Sequence, residues 1–322
     1  MDDSSRQEPD DVGKTRQDVN AMMLRLGISR AELAKRADIP ASTVSQWLDG
    51  KYAGRDDKIA ERMRKWLLSE TEYEEQLQPQ TAGLVEPSYI ETPTSAQVTK
   101  VLTYAQAMPE MVLVTLGSGM GKSYTAKNFA RTRPNVCMVT MRPKTDNVHT
   151  MLAEIGKTLG ISDRNPAGID RSIGAKLQRN GRKTLLIVDE AQQLVDRAVD
   201  QLRWFLDEYG CGIALLGNEE VYSRYGVGTP KEGYGQIHRR IGLRIRELTP
   251  RPEDIAAYIA AWGITAPDQV AVLTRIGRKP GALGQVEKTI KLASILAAGE
   301  GRPITRGDLL AAWQNRGGDV HL

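Results

Sequence analysis

Three glycines, a lysine and two serine hydroxyls fall within seven positions of this chain, Gly117-Ser118-Gly119-Met120-Gly121-Lys122-Ser123. Glycines at that spacing let the backbone turn its N–H groups inward around an anion. The lysine adds a point charge for terminal phosphates, and the Ser123 hydroxyl suits the Mg²⁺ that travels with them. One position departs from the usual phosphate-binding loop: Leu116 stands where its first glycine is expected. Downstream, the apolar run TLLIV ends in Asp189-Glu190. An acid at the end of a buried strand is expensive unless a cation meets it. Asp189 therefore suits the Mg²⁺ together with Ser123, and Glu190 suits a base that polarises an attacking water. Two acids capping the next helix is the alternative. Asn218 ends the run GIALLG in the same way. It fits a γ-phosphate sensor that orients water, and equally a helix N-cap. Together these residues describe an ATP site with Lys122, Glu190 and Asn218 as its chemistry and Gly117 through Tyr124 as its phosphate cradle. Ile90, Glu91 and Thr92 precede it, where an adenine pocket would form, with Thr92 the contact expected from that stretch.

Such a site needs strands that end at one edge and helices that start there. Apolar β-rich runs at 111–116, 136–141, 184–189, 212–217 and 243–248 alternate with helical stretches at 122–131, 147–159, 169–180, 191–209 and 219–225. That alternation predicts a parallel sheet covered on both faces, an α/β core over 93–250. After Pro250 only helical patterns follow, each bounded by Gly, Pro or a capping residue, so 251–322 reads as a small helical domain. Residues 18–68 carry helical periodicity and form an N-terminal all-α domain. Residues 1–17 read as a disordered polar tail, and 69–92, rich in Glu, Gln and Pro, as a helix end followed by a linker.

The 322 residues include 40% apolar side chains and a net charge of +4, enough for a proper core and compatible with a nucleic-acid partner. The two cysteines, Cys137 and Cys211, lie in apolar runs and read as buried thiols, not as a disulfide or metal pair. The acidic N-terminus lacks the features of a signal peptide, and no apolar run approaches the roughly 18–20 residues a membrane span needs. A soluble cytosolic protein with no membrane partner is expected.

Loop, acid strand and Asn218, spread over three strands, resemble the AAA+ ATPases across about 95–315. That resemblance implies a trans-acting arginine before the last strand, where HRRIGLRIRE supplies Arg239 and Arg240. Arg240 abuts the apolar Ile241 and is the candidate; solvated surface charge is the alternative. The small helical domain departs from many relatives, since Gly281 of GRKPGAL stands where a sensor arginine is common. With Leu116, this implies a slow ATPase used as a switch.

SRAELAKRADIPASTVSQWLDG has helix-turn-helix spacing, with Asp38 where glycine is usual. Ser42, Thr43 and Gln46 would face the major groove, and Lys51, Arg55, Lys58 and Arg62 the phosphates; a helical module for protein contacts is the alternative. This module, the KYAG turn, the IET stretch, the AAA+ core and KPGAL together resemble the Mu B-like transposition proteins. The resemblance implies an ATPase that polymerises as a helical filament on double-stranded DNA without sequence preference. It also implies that the protein delivers that target DNA to a transposase, stimulates strand transfer, and leaves DNA when the transposase triggers hydrolysis (target immunity). Phosphate-directed binding calls for basic residues, for which Arg142, Lys144, Arg171, Lys176 and Arg179 are candidates. A different AAA+ DNA remodeller, such as a helicase loader, and a nucleotide-gated transcription regulator are competing readings.

Overall fold

A computed structural model describes residues 9–80, 86–161, 168–179, 183–227 and 235–319. The chain divides into two units, 1–82 and 83–322.

The N-terminal unit is four helices: α1 (Pro9–Leu26), α2 (Arg30–Arg36), α3 (Ala41–Leu48) and α4 (Asp56–Gln80). Ser29 caps α2 by accepting the Glu32 N–H at 3.2 Å. Asp38 takes the left-handed conformation (φ 53°) that a glycine would take more easily in this turn, and its carbonyl accepts from Arg62 at 3.1 Å. Val19, Leu33, Val44, Trp47, Ala60 and Met63 are fully buried between the four helices. Two expected boundaries move. Helix α1 begins at Pro9, well inside the expected disordered tail, because Val12, Thr15, Val19 and Met22 form one stripe that packs into this core; residues 1–8 lie outside the described residues. Helix α4 continues past 68 to Gln80, since its Glu- and Gln-rich stretch is made of good helix formers. Glu70 on that extension accepts from Trp66 Nε1 at 3.0 Å and pairs with Arg36. The linker thus shortens, and 81–85 lie outside the described residues.

In the second unit, α5 (Pro93–Ala107) leads into β1 (Met111–Leu116), α6 (Lys122–Thr132), β2 (Val136–Thr140), α7 (Val148–Thr158), α8 (Ile169–Arg179), β3 (Leu185–Asp189) and α9 (Asp196–Tyr209). Strand β4 (Gly212–Gly217), the single turn α10 (Glu219–Val221), α11 (Gly235–Arg240) and β5 (Ile241–Glu247) complete the core. The sheet order is β2-β3-β4-β1-β5 with every pair parallel. The central strands β1, β3 and β4 are buried along their whole length, while the edge strands β2 and β5 are exposed at intervals. Alternate residues feed opposite faces. Leu113, Leu186, Val188 and Leu215 pack under α7, α8 and α9; Val112, Val114, Ile187 and Leu216 pack under α5 and α6.

Four further helices follow: α12 (Pro252–Ala261), α13 (Pro267–Gly277), α14 (Ala282–Ala298) and α15 (Arg306–Asn315), around Ile255, Leu273, Val286 and Leu309. They are not a separate body from the core. Asp254 of α12 is buried and accepts from the Thr94 backbone N–H at 2.8 Å, the Thr94 hydroxyl at 2.6 Å and the Arg251 N–H at 2.9 Å. That carboxylate ties the first turn of α5 to the C-terminal bundle.

Candidate functional site

Strand β1 ends at Leu116 and α6 starts at Lys122, so Gly117–Gly121 is the connection at the C-terminal edge of the sheet. Leu116 is 2% exposed and packs in the core under α5 and α6. Its place is the last rung of β1, opposite Glu247, which explains why a large apolar residue is tolerated there. The turn then needs glycines for two different reasons. Gly119 and Gly121 have φ of 76° and 79°. Gly117 and Gly119 are also approached by other backbone: a Cβ on Gly117 would meet the Leu248 carbonyl at 2.1 Å, and one on Gly119 the Gly281 carbonyl at 1.9 Å. Gly284 N–H donates to Gly119 O at 3.1 Å. The KPGAL turn therefore rests directly on the phosphate loop.

Lys122 opens α6, with Ser123 beside it. Burial pushes the Lys122 ammonium below the ordinary lysine value, and attraction from Glu190 and Asp189 opposes that. Asp189 is 2% exposed at the end of β3, and its Oδ1 is buried without a hydrogen-bond partner. An unpartnered carboxylate oxygen is what a Mg²⁺ shell completes, so Asp189 and Ser123 fit the metal that accompanies a nucleoside triphosphate. Glu190 follows in the left-handed conformation, φ 56°, ψ 39°, and its carboxylate accepts from Gln192. Asn218 is the N-cap of α10: its Oδ1 accepts the Glu220 N–H at 2.9 Å. The cap uses the oxygen and leaves the amide NH₂ group for another acceptor.

Between the loop and the C-terminal bundle lies a cleft of about 210 Å³ whose walls include Ile90, Tyr124, Tyr258, Trp262 and Leu283, with Glu86 and Glu287 at its edge. Tyr124 stacks on Tyr89 with centroids 5.5 Å apart, and its hydroxyl donates to Ser88 O at 2.6 Å. Burial, followed by Glu287, pushes the Tyr258 phenol up. An apolar, aromatic cleft joined to an anion loop suits a purine base. Thr92 is committed elsewhere: it caps α5 reciprocally with Ser95 and is buried. Ile90, two residues earlier, is the side chain that reaches the cleft. Sequence reasoning missed Tyr258, Trp262, Leu283 and Glu287. Leu283, near Gly281, belongs to the turn where a sensor arginine was sought. Arg278 is exposed and Lys279 pairs with Asp319 at 2.8 Å.

Arg240 ends α11 at the opposite edge of the sheet. Ile241 registers with Met111, while the phosphate loop follows Leu116. Five residues of strand at ~3.3 Å each separate them by about 17 Å, more than one side chain spans. Asp207 holds Arg240 through Nε at 2.6 Å and Nη2 at 3.3 Å, and Arg203 joins the same carboxylate at 2.7 Å. The hydrogen bond from Arg240 keeps the Asp207 carboxyl below its ordinary value.

The DNA candidates fall on separate elements. Arg142 and Lys144 are exposed just past β2, where Arg142 pairs with Glu154 at 3.1 Å. Arg171 and Lys176 are exposed on α8, and the Arg179 side chain lies outside the described residues. On α3, Ser42 and Gln46 are exposed and Thr43 half-buried. Both cysteines are buried and free, and burial pushes the Cys137 thiol up to about 11 and the Cys211 thiol up to about 12. Among the described residues, no helix is long and apolar enough to cross a membrane.

A parallel sheet with a glycine loop after an inner strand, an acid pair on the next strand but one, and a helical bundle closing the cleft beside the loop defines an AAA-type nucleotide-binding protein. Residues 109–225 match the family described as AAA domain, and residues 239–315 the family described as Mu B transposition protein, C terminal. The chain is 32% identical over 267 residues to the Mu-like prophage FluMu DNA transposition protein B of Haemophilus influenzae, covering 81% of this chain and 90% of that one. It is 27% identical over 293 residues to the ATP-dependent target DNA activator B of Escherichia phage Mu, covering 90% and 91%, and equally to that of Escherichia phage D108. The chain belongs to the Mu B transposition protein family.

Proposed function

We propose that this protein is a slow, Mg²⁺-dependent ATPase that polymerises on double-stranded DNA of any sequence and delivers that target to a transposase. Hydrolysis, stimulated by DNA and by the transposase, then releases it. The single observation that carries this reading is the separation of Arg240 from the phosphate loop of its own chain. Lys122, Ser123, Asp189, Glu190 and Asn218 lie at one edge of the sheet, and the arginine suited to stabilise transferring phosphoryl charge lies at the other. In this reading a neighbouring copy presents it, drawing it from its pair with Asp207, and hydrolysis is thereby coupled to assembly.

In such an assembly the loop amides and Lys122 hold the β- and γ-phosphates. Ser123 and Asp189 would hold Mg²⁺, which supplies charge neutralisation between those phosphates. Glu190 takes the proton of the water that attacks the γ-phosphorus as the bond to the β-phosphate oxygen breaks. Asn218 orients that water, and the neighbour's Arg240 stabilises the spreading charge. Leu283, standing in the cleft near where relatives place an arginine, adds no cation and favours a slow reaction. Arg142, Lys144, Arg171, Lys176 and Arg179 contact DNA phosphates, giving sequence-tolerant, salt-sensitive affinity. The relatives' names, a target DNA activator and a DNA transposition protein, support the partner. Of Ser42, Thr43 and Gln46 only the glutamine could read a base bidentately, and no arginine stands with it, which favours general over operator-specific binding.

Electron microscopy with ATP and random-sequence duplex DNA tests the reading. Filaments are expected from the native chain and not from Lys122→Ala. Filaments from that variant, or discrete oligomers confined to one operator, refute it.

A further inference from the structure

Strands β3 and β4 hold each other only as far as Val188 opposite Leu215, whereas β1 stays paired with β4 through Thr115 opposite Gly217. The strand carrying the acid pair and the strand carrying Asn218 therefore part just before the functional residues begin. Gln192 spans the gap. It sits in the 3₁₀ turn Ala191–Gln193 immediately after Glu190. Its side-chain N–H donates to Glu190 Oε2, and its Oε1 accepts the backbone N–H of Asn218 at 3.4 Å. One amide thus stands in for a missing rung of sheet. The chemistry selects an amide: the carboxylate needs a donor, and the Asn218 N–H needs an acceptor. Gly217 makes room for both Val221 and Gln192, since a Cβ there would lie 2.3 Å from Val221 Cγ2 and 2.7 Å from Gln192 Oε1. Glu190 meanwhile holds a left-handed backbone that a non-glycine residue keeps only when its surroundings impose it.

We propose that Gln192 is a positioning residue for hydrolysis: it fixes the Glu190 carboxylate relative to Asn218, so that the base and the water-orienting amide move as one unit. This rests on the reading of Glu190 and Asn218 given under Proposed function. Gln192 acts through Glu190, so its loss should disturb the chemical step and leave nucleotide binding, which depends on the loop and the aromatic cleft, in place.

The test is single-turnover hydrolysis by the full chain saturated with ATP, Mg²⁺ and duplex DNA, with ATP affinity, filament formation and thermal stability measured alongside. Gln192→Met keeps the volume and removes both hydrogen bonds. Gln192→Asn keeps the amide but is one methylene too short, and Gln192→Glu sets a like charge against Glu190; these two cover the case in which methionine disturbs the turn. Each variant is expected to keep ATP affinity within about twofold while hydrolysis slows roughly 10–100-fold, as misplacing a catalytic group by about 1 Å does. A native hydrolysis rate in all three, with Glu190→Gln inactive, overturns the positioning role alone. Equal losses of affinity and rate overturn it as well, by marking a structural role. Undiminished hydrolysis in Glu190→Gln overturns the base assignment and this inference with it.

Discussion

Gly119→Ala is the sharpest probe of the contact between the phosphate loop and the C-terminal bundle. The substitution acts twice. At φ 76° a side chain introduces left-handed strain, about 1–2 kcal/mol. Its Cβ would also lie 1.9 Å from the Gly281 carbonyl oxygen and 2.6 Å from its carbon. The KPGAL turn would have to retreat by about 1.5 Å to restore ordinary contact. That retreat breaks the bond from Gly284 N–H to Gly119 O, worth about 1 kcal/mol. The sum, about 2–3 kcal/mol, sets the ceiling on the loss of ATP affinity, roughly 30–150-fold, because Leu283 and Gly284 wall the cleft beside the loop and leave with the turn. Gly121→Ala is the control. It has a similar strained φ of 79°, but its Cβ would meet no protein atom within 4 Å, so the KPGAL turn stays in place and the strain alone gives a loss of at most about 5–30-fold. Calorimetric titration with a non-hydrolysable ATP analogue measures both. Equal affinities for the two variants would refute the close approach of loop and turn.

Asp254→Ala strands the Thr94 donors in the buried joint between α5 and α12; urea unfolding is expected to show a loss of about 2–4 kcal/mol. In α15, Asp308 accepts two bonds from Arg302, at 2.5 and 2.9 Å, and caps the helix with Thr305. The hydrogen bonds from Arg302 hold its carboxyl well below the ordinary aspartate value. A depressed folded pKa contributes stability that is full above the unfolded value of about 3.9 and is lost as pH falls through the folded one. Asp308→Asn should therefore lower the melting temperature clearly at pH 7 and progressively less below pH 4; a constant difference across that range contradicts the assignment.

Legibility followed the range of the interaction. The loop, the acid pair and Asn218 were readable because each is a short stretch whose chemistry is local, and the strands that carry them are continuous apolar runs. The two boundaries moved for different reasons: α1 starts at Pro9 because Val12 and Thr15 find a core, so packing overrode composition, whereas α4 runs to Gln80 because its Glu- and Gln-rich stretch favours helix over linker. Thr92 was misjudged for a related reason. Proximity to a site along the chain cannot tell a base contact from a helix cap, and only the bond to Ser95 does.

By itself, the sequence determined that phosphate, metal and water chemistry gather at the ends of buried strands, since glycine freedom, a lysine charge and terminal carboxylates are properties of adjacent residues. Only the tertiary structure decided the rest. The cleft draws walls from residues as far apart as Ile90, Tyr124, Trp262 and Leu283, and no periodicity records such a meeting. The parallel register of β5 on β1 sets Arg240 at the end of the strands opposite Lys122, and the parting of β3 from β4 makes Gln192 the link between Glu190 and Asn218. The physical reason is common to all three: contacts across strands and between helices are chosen by global packing, which the spacing of residues along one chain does not encode.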